Sequence, residues 1–141
     1  MPALYDRDFY QWTQETAALV RAAEFNRLDT AHLAEEIEDM GNRDKNELES
    51  RLAVLVSHLL KWDCQPDKRS RSWAATIRVQ RRDVLRQLKT MPSLARFMAD
   101  HWSEIYRDAV DRALADTQLE ESAFPAECPY TIEQVLAAEP R

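Results

Sequence analysis

The sequence predicts an all-α protein, an up-and-down helical bundle of four main helices with short additional helices and a proline-containing carboxyl-terminal strap. Apolar residues recur every three or four positions, whereas alternation of period two extends over no useful length. The chain has one glycine in 141 residues, where about 7% is usual, so few positions suit tight turns or bulges. Hydrophobic residues make up 45% of the chain, enough for the core of one domain of this size. We expect a single helical domain over residues 1–141.

The first main helix is predicted to begin after Asp8 and to run to about Phe25. Asp8 can cap the amino end of this helix, and Gln11 stands three residues later, as in a capping box. The positions that follow form one apolar stripe, which consists of Phe9, Trp12, Thr16, Val20 and Ala23. We therefore expect an amphipathic helix here.

The second main helix is predicted to begin at Asp29 and to continue to Trp62. Asp29 can act as its cap, while Leu28 and Leu33 occupy the two positions of a hydrophobic staple. Gly41 indicates a kink, a break or a close approach of another helix. The apolar ridge of this helix consists of Leu48, Leu52, Leu55 and Leu59.

A basic helix is predicted after the loop "CQPDKRSRS", with Ser70 or Ser72 as its cap. Ile77, Val84 and Leu88 fall on one face of this helix, and Arg81 lies only about 40° from Ile77, inside the apolar stripe. We therefore expect the Arg81 side chain to point inward.

Pro92 is predicted to end the basic helix, because proline lacks the N–H donor and restricts the preceding residue. A final long helix then carries one apolar face, formed by Trp102, Ile105, Tyr106, Ala109 and Ala113. In the tail "FPAECPYTIEQVL", Thr131 and Gln134 have the spacing of a capping box. The tail is predicted to dock on the bundle as a strap fixed by its prolines.

The charges are arranged in three blocks within a net charge of −6. Residues 1–66 carry 7 basic and 13 acidic side chains, residues 67–96 carry 9 and 2, and residues 97–141 carry 3 and 10. This order lets a basic helix pair with acidic neighbours, so internal charge complementarity competes with a nucleic-acid surface. We do not expect nucleic acid to be the partner.

The sequence predicts a cytoplasmic protein without a membrane span. The longest apolar run, "LAVLVSHLL", covers nine residues, far fewer than the ~20 needed to cross a bilayer. The amino end has neither the basic nor the apolar region of a secretory signal. Cys64 and Cys128 lie far apart and are expected to be reduced thiols.

The chain resembles a bacterial family known as domain of unknown function 29. The resemblance rests on the order of "LYDRDFYQWTQ", "HLAEEIEDMG", "SHLLKW", "SWAATIRVQR", "PSL" and "FPAECPYT". It implies an all-helical, intracellular bacterial domain with no assigned activity. The recurring positions of the family match Glu35, Glu36, Gly41, His58, Lys61, Trp73, Arg81 and Tyr106 here.

Metal ligands are the first kind of candidate site. His32 has Glu35 and Glu36 three and four residues later, and His101 has Glu104 three residues later, so each set shares a helix face. Two-metal helical bundles use the reverse order, Glu-x-x-His, and further carboxylates on other helices. We therefore expect no metal and no cofactor.

A ribonuclease-like pair is the second kind of candidate site. An arginine followed five to seven residues later by a histidine can hold a phosphate and move a proton. Arg51 with His58 and Arg96 with His101 match this spacing. With 15 arginines in the chain, about one such match is expected by chance, so the spacing carries little weight.

A buried polar cluster is the third kind of candidate site. Glu36 borders the apolar face of its helix, whereas Glu35 points away from it. An arginine inside an apolar stripe needs a carboxylate, so Glu36 is the predicted partner of Arg81. His58 lies at the edge of its ridge and is expected to be a hydrogen-bonded structural residue.

From the sequence, the favoured function is a non-catalytic protein-interaction or oligomerisation module, bound to a protein partner or to copies of itself. The alternative is a helical-bundle enzyme or a metal- or nucleic-acid-binding protein that uses the region of His32, Glu36, His58 and Arg81. An enzyme requires a pocket where these side chains converge, whereas an interaction module requires an exposed apolar surface.

Overall fold

A computed structural model describes residues 3–137, and within this range the chain forms α-helices and short 3₁₀ turns with no strand. The helices are α1 (Leu4–Arg7), α2 (Phe9–Arg21), α3 (Thr30–Cys64), α4 (Arg71–Thr90), α5 (Leu94–Asp100), α6 (Trp102–Thr117) and α7 (Ile132–Val135). The all-α prediction is confirmed, and α2, α3, α4 and α6 are the four main helices. None of the described helices is long and apolar enough to span a membrane.

Two compact units can be distinguished in the chain, where the sequence suggested one helical domain. Unit 1 is Met1–Arg43 and unit 2 is Asp44–Arg141. Helix α3 begins in unit 1 and ends in unit 2. The boundary between the units falls two residues after Gly41.

Helix α2 has the predicted amino-terminal cap, since the Asp8 carboxylate accepts a hydrogen bond from the Gln11 N–H at 3.0 Å. It ends at Arg21, earlier than the predicted Phe25. Ala23 adopts the left-handed conformation at φ 58°, and the Glu24 N–H donates to the Leu19 carbonyl at 2.9 Å. This Schellman arrangement ends the helix. Helix α1, with four residues, is too short to have an apolar period and was not predicted.

Unit 1 buries little of its apolar surface. Trp12 and Thr16 are buried, as their stripe predicted, but Phe9 and Val20 of the same stripe are exposed. Among the described residues, six of the seven large hydrophobic side chains that are exposed belong to unit 1: Phe9, Tyr10, Val20, Phe25, Ile37 and Met40. Unit 1 thus leaves several large apolar side chains open to solvent.

Helix α3 begins where the sequence placed it, because the Asp29 carboxylate accepts from the His32 N–H at 3.3 Å. It then runs for 35 residues to Cys64, so the possible break at Gly41 does not occur. A Cβ atom added at Gly41 would meet nothing within 4 Å. The prediction of a close helix approach at Gly41 is therefore wrong.

The core of unit 2 lies between the second half of α3 and helices α4, α5 and α6. Of the predicted α3 ridge, Leu48, Leu52 and Leu55 are fully buried and Leu59 is partly buried. Helix α4 begins at the predicted cap, Ser70, which accepts from the Trp73 N–H at 3.1 Å. The other buried apolar residues include Ile77, Val84, Met98, Ile105, Tyr106, Ala109, Val110 and Ala113.

The last long helix of the prediction is divided in two. Helix α4 ends at Thr90, before Pro92, as expected, but α5 and α6 are separated at His101. His101 leaves the helical conformation at φ −111°, ψ 17°, and its ring nitrogen Nδ1 bonds the Phe97 carbonyl at 3.0 Å. This local hydrogen bond accompanies the break.

The strap, residues 119–136, docks on unit 2 as the sequence predicted. Phe124, Tyr130 and Val135 are buried in the core cluster. The predicted capping box is confirmed: the Thr131 hydroxyl accepts from the Gln134 N–H, and the Gln134 side chain accepts from the Thr131 N–H. The strap is thus bonded both to itself and to the helices beneath it.

We expect Leu55→Ala to lower the free energy of unfolding by about 2–5 kcal/mol, because it leaves a cavity in the core. Leu85, which is 44% exposed on α4, provides the matched control, and Leu85→Ala should change stability by less than about 0.5 kcal/mol. Urea unfolding followed by circular dichroism measures both. Equal losses would contradict the placement of Leu55.

Gln118 ends α6 in the left-handed conformation at φ 62°, which costs an L residue roughly 1–2 kcal/mol. Gln118→Gly removes the Cβ atom that causes this cost and should raise the melting temperature. Gln118→Ala keeps the Cβ atom and should bring no gain. Calorimetry of the two variants makes the comparison, and a gain in both would exclude backbone strain as the cause.

Candidate functional site

The three residues of the predicted polar cluster belong to different units. Glu36 lies in unit 1, whereas His58 and Arg81 lie in unit 2. Glu36 accepts a hydrogen bond from the Tyr5 hydroxyl, and the buried Arg81 donates from Nε to the Val135 carbonyl at 2.8 Å. Each side chain of the predicted Glu36–Arg81 pair therefore has a partner other than the one that the sequence suggested.

Tyr5 joins two of the candidate residues in unit 1. Its ring stacks on His32 with 3.9 Å between the centroids, and its hydroxyl donates to Glu36. This hydrogen bond raises the pKa of Tyr5 to about 12. His32 donates from Nδ1 to the Asp29 carboxylate at 2.5 Å, which raises the pKa of His32 and lowers that of Asp29.

His58 has a structural environment in unit 2. Its Nδ1 bonds the Val54 carbonyl at 2.9 Å, one turn earlier in α3. Burial lowers the pKa of His58, and the nearby Lys61 lowers it further. Lys61, which is 4% exposed, pairs with Asp116 at 3.0 Å and lies over the Trp73 ring at 5.2 Å. This contact ties α3 to α4 and α6.

The weak metal candidates do not form a ligand set. Within residues 3–137, no group of three or more His, Cys, Asp or Glu side chains is placed to hold a metal ion. His101 stacks on Phe97 with 4.2 Å between the centroids. Glu104 and Glu35 are exposed on their helices.

The arginines of the ribonuclease-like pairs are both in ion pairs. Arg51 bonds Glu47 at 2.6 Å and Asp83 at 3.1 Å, so it links α3 to α4. Arg96 is 92% exposed and lies 3.9 Å from Asp100. The structure thus gives Arg51 a structural use, as the complementary charges of the two segments suggested.

A groove between α6 and the strap in unit 2 is the candidate functional site. Its volume is about 1160 Å³, and it runs from the end of α5 along the side of α6 that faces the strap. Trp102 and Asp111 mark its length along α6, roughly 14 Å at the rise of an α-helix. Small-molecule pockets occupy about 300–1000 Å³, so the groove has room for a short peptide segment.

Aromatic rings line the groove: Trp102, Tyr106, Phe124 and Tyr130. The Tyr106 hydroxyl donates to the Pro125 carbonyl at 2.5 Å, and the Tyr130 hydroxyl donates to Asp63 at 2.5 Å. Burial raises the pKa of Tyr106 to about 12, and burial together with Asp63 raises that of Tyr130. The hydroxyls are therefore neutral near pH 7 and hold the strap against α6 and α3.

The rim of the groove is strongly acidic. Five carboxylates and one guanidinium line it: Asp100, Asp111, Glu121, Glu127, Glu133 and Arg107. All five acidic residues are exposed. In the described part of the chain, only Asp100 among them has a cation within ion-pair distance, Arg96 at 3.9 Å. The groove therefore has a formal charge of −4 and open carboxylates.

The thiol among the described residues that line the groove is not activated. Cys128 lines it, but burial raises the pKa of this thiol, whereas a nucleophilic cysteine needs a lowered one. No histidine is found among the described residues that line the groove. What the described lining offers is the negative charge of its exposed carboxylates.

Part of the evidence for this groove was present in the sequence. The excess of 10 acidic over 3 basic residues in 97–141, the aromatic face of α6 and the docked strap were all recognised separately. The predicted site residues pointed elsewhere, because motif spacing detects side chains on one helix. A groove between a helix and an irregular segment produces no such spacing.

Titration of His58 and His32 tests the environments described for these two side chains. His58 should titrate below its ordinary pKa of 6.5 and His32 above it, as measured by NMR of the ring protons. Because native His58 binds fewer protons than the unfolded chain, its contribution to stability should fall as the pH drops through 6.5 toward its folded pKa. His58→Gln should abolish this part of the pH dependence, and an unchanged dependence would contradict the burial of His58.

Comparison with known protein families matches residues 4–139 to the model of one family, "Domain of unknown function DUF29". Comparison with curated proteins found no match, and comparison with solved structures found none. The family match covers nearly the whole chain, as the sequence resemblance led us to expect. The chain belongs to the DUF29 family, a family of unknown function.

Proposed function

We propose that the protein is a non-catalytic protein-interaction module that holds a positively charged segment of a partner in the strap groove. The observation that carries this proposal is the coincidence, in one groove, of five exposed carboxylates and an aromatic lining in which Trp102 is the most exposed ring. Neither feature alone would define a ligand. Together they match a side chain with a cationic end and an apolar stem.

The carboxylates supply selectivity for charge. At a formal charge of −4 the groove attracts cationic ligands and repels acidic ones. Individual exposed ion pairs contribute only about 0.2–1 kcal/mol, so several must act together. Glu127 and Glu133 on the strap and Asp111 on α6 stand among those that can do so.

The aromatic rings favour arginine over lysine as the bound residue. A guanidinium stacks on an aromatic face and bonds a carboxylate with two parallel N–H donors, whereas an ammonium is a point charge. Trp102, which is half-buried, is the most favourable ring for a cation–π contact. We therefore expect the preferred segment to be rich in arginine.

Unit 1 gives separate support for an interaction role. Its short chain exposes six large hydrophobic residues, and exposed apolar side chains are the material from which association surfaces are built. The enzyme alternative has no such support, because the histidines are occupied by local contacts and the groove thiol has a raised pKa.

Fluorescence anisotropy with labelled octa-arginine, octa-lysine and octa-glutamate peptides tests the proposal. Octa-arginine should bind most tightly and octa-glutamate should not bind. The double substitution Glu127→Gln and Glu133→Gln should raise the dissociation constant of octa-arginine about tenfold, because two ion pairs are lost.

The matched control is Glu38→Gln with Asp39→Asn, two exposed carboxylates of unit 1 whose removal changes the net charge equally. This control should leave binding nearly unchanged. Equal effects of the two double variants would show that only the overall charge matters, and the groove would then not be the binding site.

A further inference from the structure

We infer that the cationic segment that the groove accepts is the basic face of α4 in a second copy of the chain. This inference rests on the proposed function and names the partner. It would make the protein associate with itself head to tail, through two different surfaces that every copy carries.

The basic stripe of α4 is defined here by five exposed side chains: Arg71, Arg78, Arg82, Arg86 and Lys89. At 100° per residue they fall within about 80° of one another around the helix axis. The core face of the same helix, with Ile77, Arg81 and Val84 buried, points in another direction. The stripe is therefore directed away from unit 2 and into solvent.

The stripe keeps a strong positive charge. The carboxylate that contacts it within the described chain is that of Asp83, 3.4 Å from Arg82 and 4.0 Å from Arg86. Asp83 is also bonded to Arg51. Arg82 and Arg86 are 60% and 70% exposed, so their guanidinium groups are open to a partner.

An apolar side chain lies beside the cations of the stripe. Leu85 is 44% exposed, and it is the large hydrophobic residue that unit 2 leaves exposed in the described chain. It lies about 20° from Arg78 around the helix axis. A helix that presents leucine next to arginines matches a groove lined by aromatic rings and carboxylates.

The two surfaces agree in length and in charge. The part of the stripe from Arg78 to Lys89 spans about 17 Å, and the α6 side of the groove from Trp102 to Asp111 spans about 14 Å, at the rise of an α-helix. This part of the stripe carries four cations, Arg78, Arg82, Arg86 and Lys89, and the groove has a formal charge of −4. A helix of this length laid in the groove brings several opposite charges together at once.

A single chain does not satisfy this complementarity by itself. The residues that line the groove come from α5, α6 and the segment Glu121–Glu133, and none belongs to α4. The stripe and the groove of one copy thus both stay available. Contact between different surfaces of two copies is heterologous, and it produces a ring or an open chain of copies.

Nucleic acid is the competing occupant of the stripe. The net charge of −6 and the acidic groove on the same unit oppose binding to a polyanion, whereas they favour a second copy. Duplex DNA is therefore included as a competitor in the test. It should neither bind with appreciable affinity nor dissolve the association.

Two complementary variants test the inference. The first carries Arg82→Glu and Arg86→Glu, which reverses two charges of the stripe and leaves the groove unchanged. The second carries Glu127→Lys and Glu133→Lys, which reverses two charges of the groove and leaves the stripe unchanged. All four positions are exposed, so both variants should fold, as circular dichroism will verify.

Sedimentation velocity over a concentration series gives the result. The wild-type chain should form species larger than a dimer, and high salt should dissociate them. Each variant alone should be a monomer. Their equimolar mixture should form a one-to-one dimer that grows no further, because it contains one intact stripe and one intact groove. Leu85→Ala should weaken the association.

The matched controls are Arg21→Glu with Arg43→Glu for the first variant and Glu38→Lys with Asp39→Lys for the second, which change the net charge equally at exposed positions outside both surfaces. Both controls should associate as the wild type does.

The inference is overturned if the wild-type chain stays monomeric, if either variant alone still associates, if the mixture fails to form the dimer, or if DNA binds the stripe instead. If the wild-type chain stays monomeric but binds octa-arginine, the inference fails and the proposed function stands. If the chain neither associates nor binds octa-arginine, both fail.

Discussion

The hydrogen bond from buried Arg81 to the Val135 carbonyl fixes the carboxyl end of the strap, and the groove depends on where the strap lies. A buried carbonyl that loses its donor costs about 1–3 kcal/mol, so the bond strongly favours the docked position. Val135 is itself fully buried in the core. One arginine on α4 thus connects the interior of unit 2 to the segment that forms a wall of the groove.

Two tyrosines complete the attachment of the strap from opposite directions. Tyr106 reaches from α6 to the Pro125 carbonyl, and Tyr130 reaches from the strap to Asp63 at the end of α3. Their rings also line the groove. The same side chains therefore hold the wall in place and provide the aromatic surface, which couples the stability of unit 2 to its capacity to bind.

The local features of the fold were predicted well. Asp8, Asp29, Ser70 and Thr131 act as the caps that the sequence indicated, because a cap depends only on residues within one turn. The recurrence of apolar residues every three or four positions also identified the buried ridge of α3. The break at His101 was missed, because its hydrogen bond to the preceding turn leaves no distinct pattern in the sequence.

Local hydrogen bonding and the period of an α-helix were enough to predict the main helices, their amino-terminal caps and the inward direction of Arg81. What Arg81 contacts depends on tertiary packing. One of its partners is a backbone carbonyl 54 residues away, and a backbone carbonyl looks the same at every position of a sequence. The groove likewise arises where the strap crosses α6, a position that long-range packing sets and that no local pattern encodes.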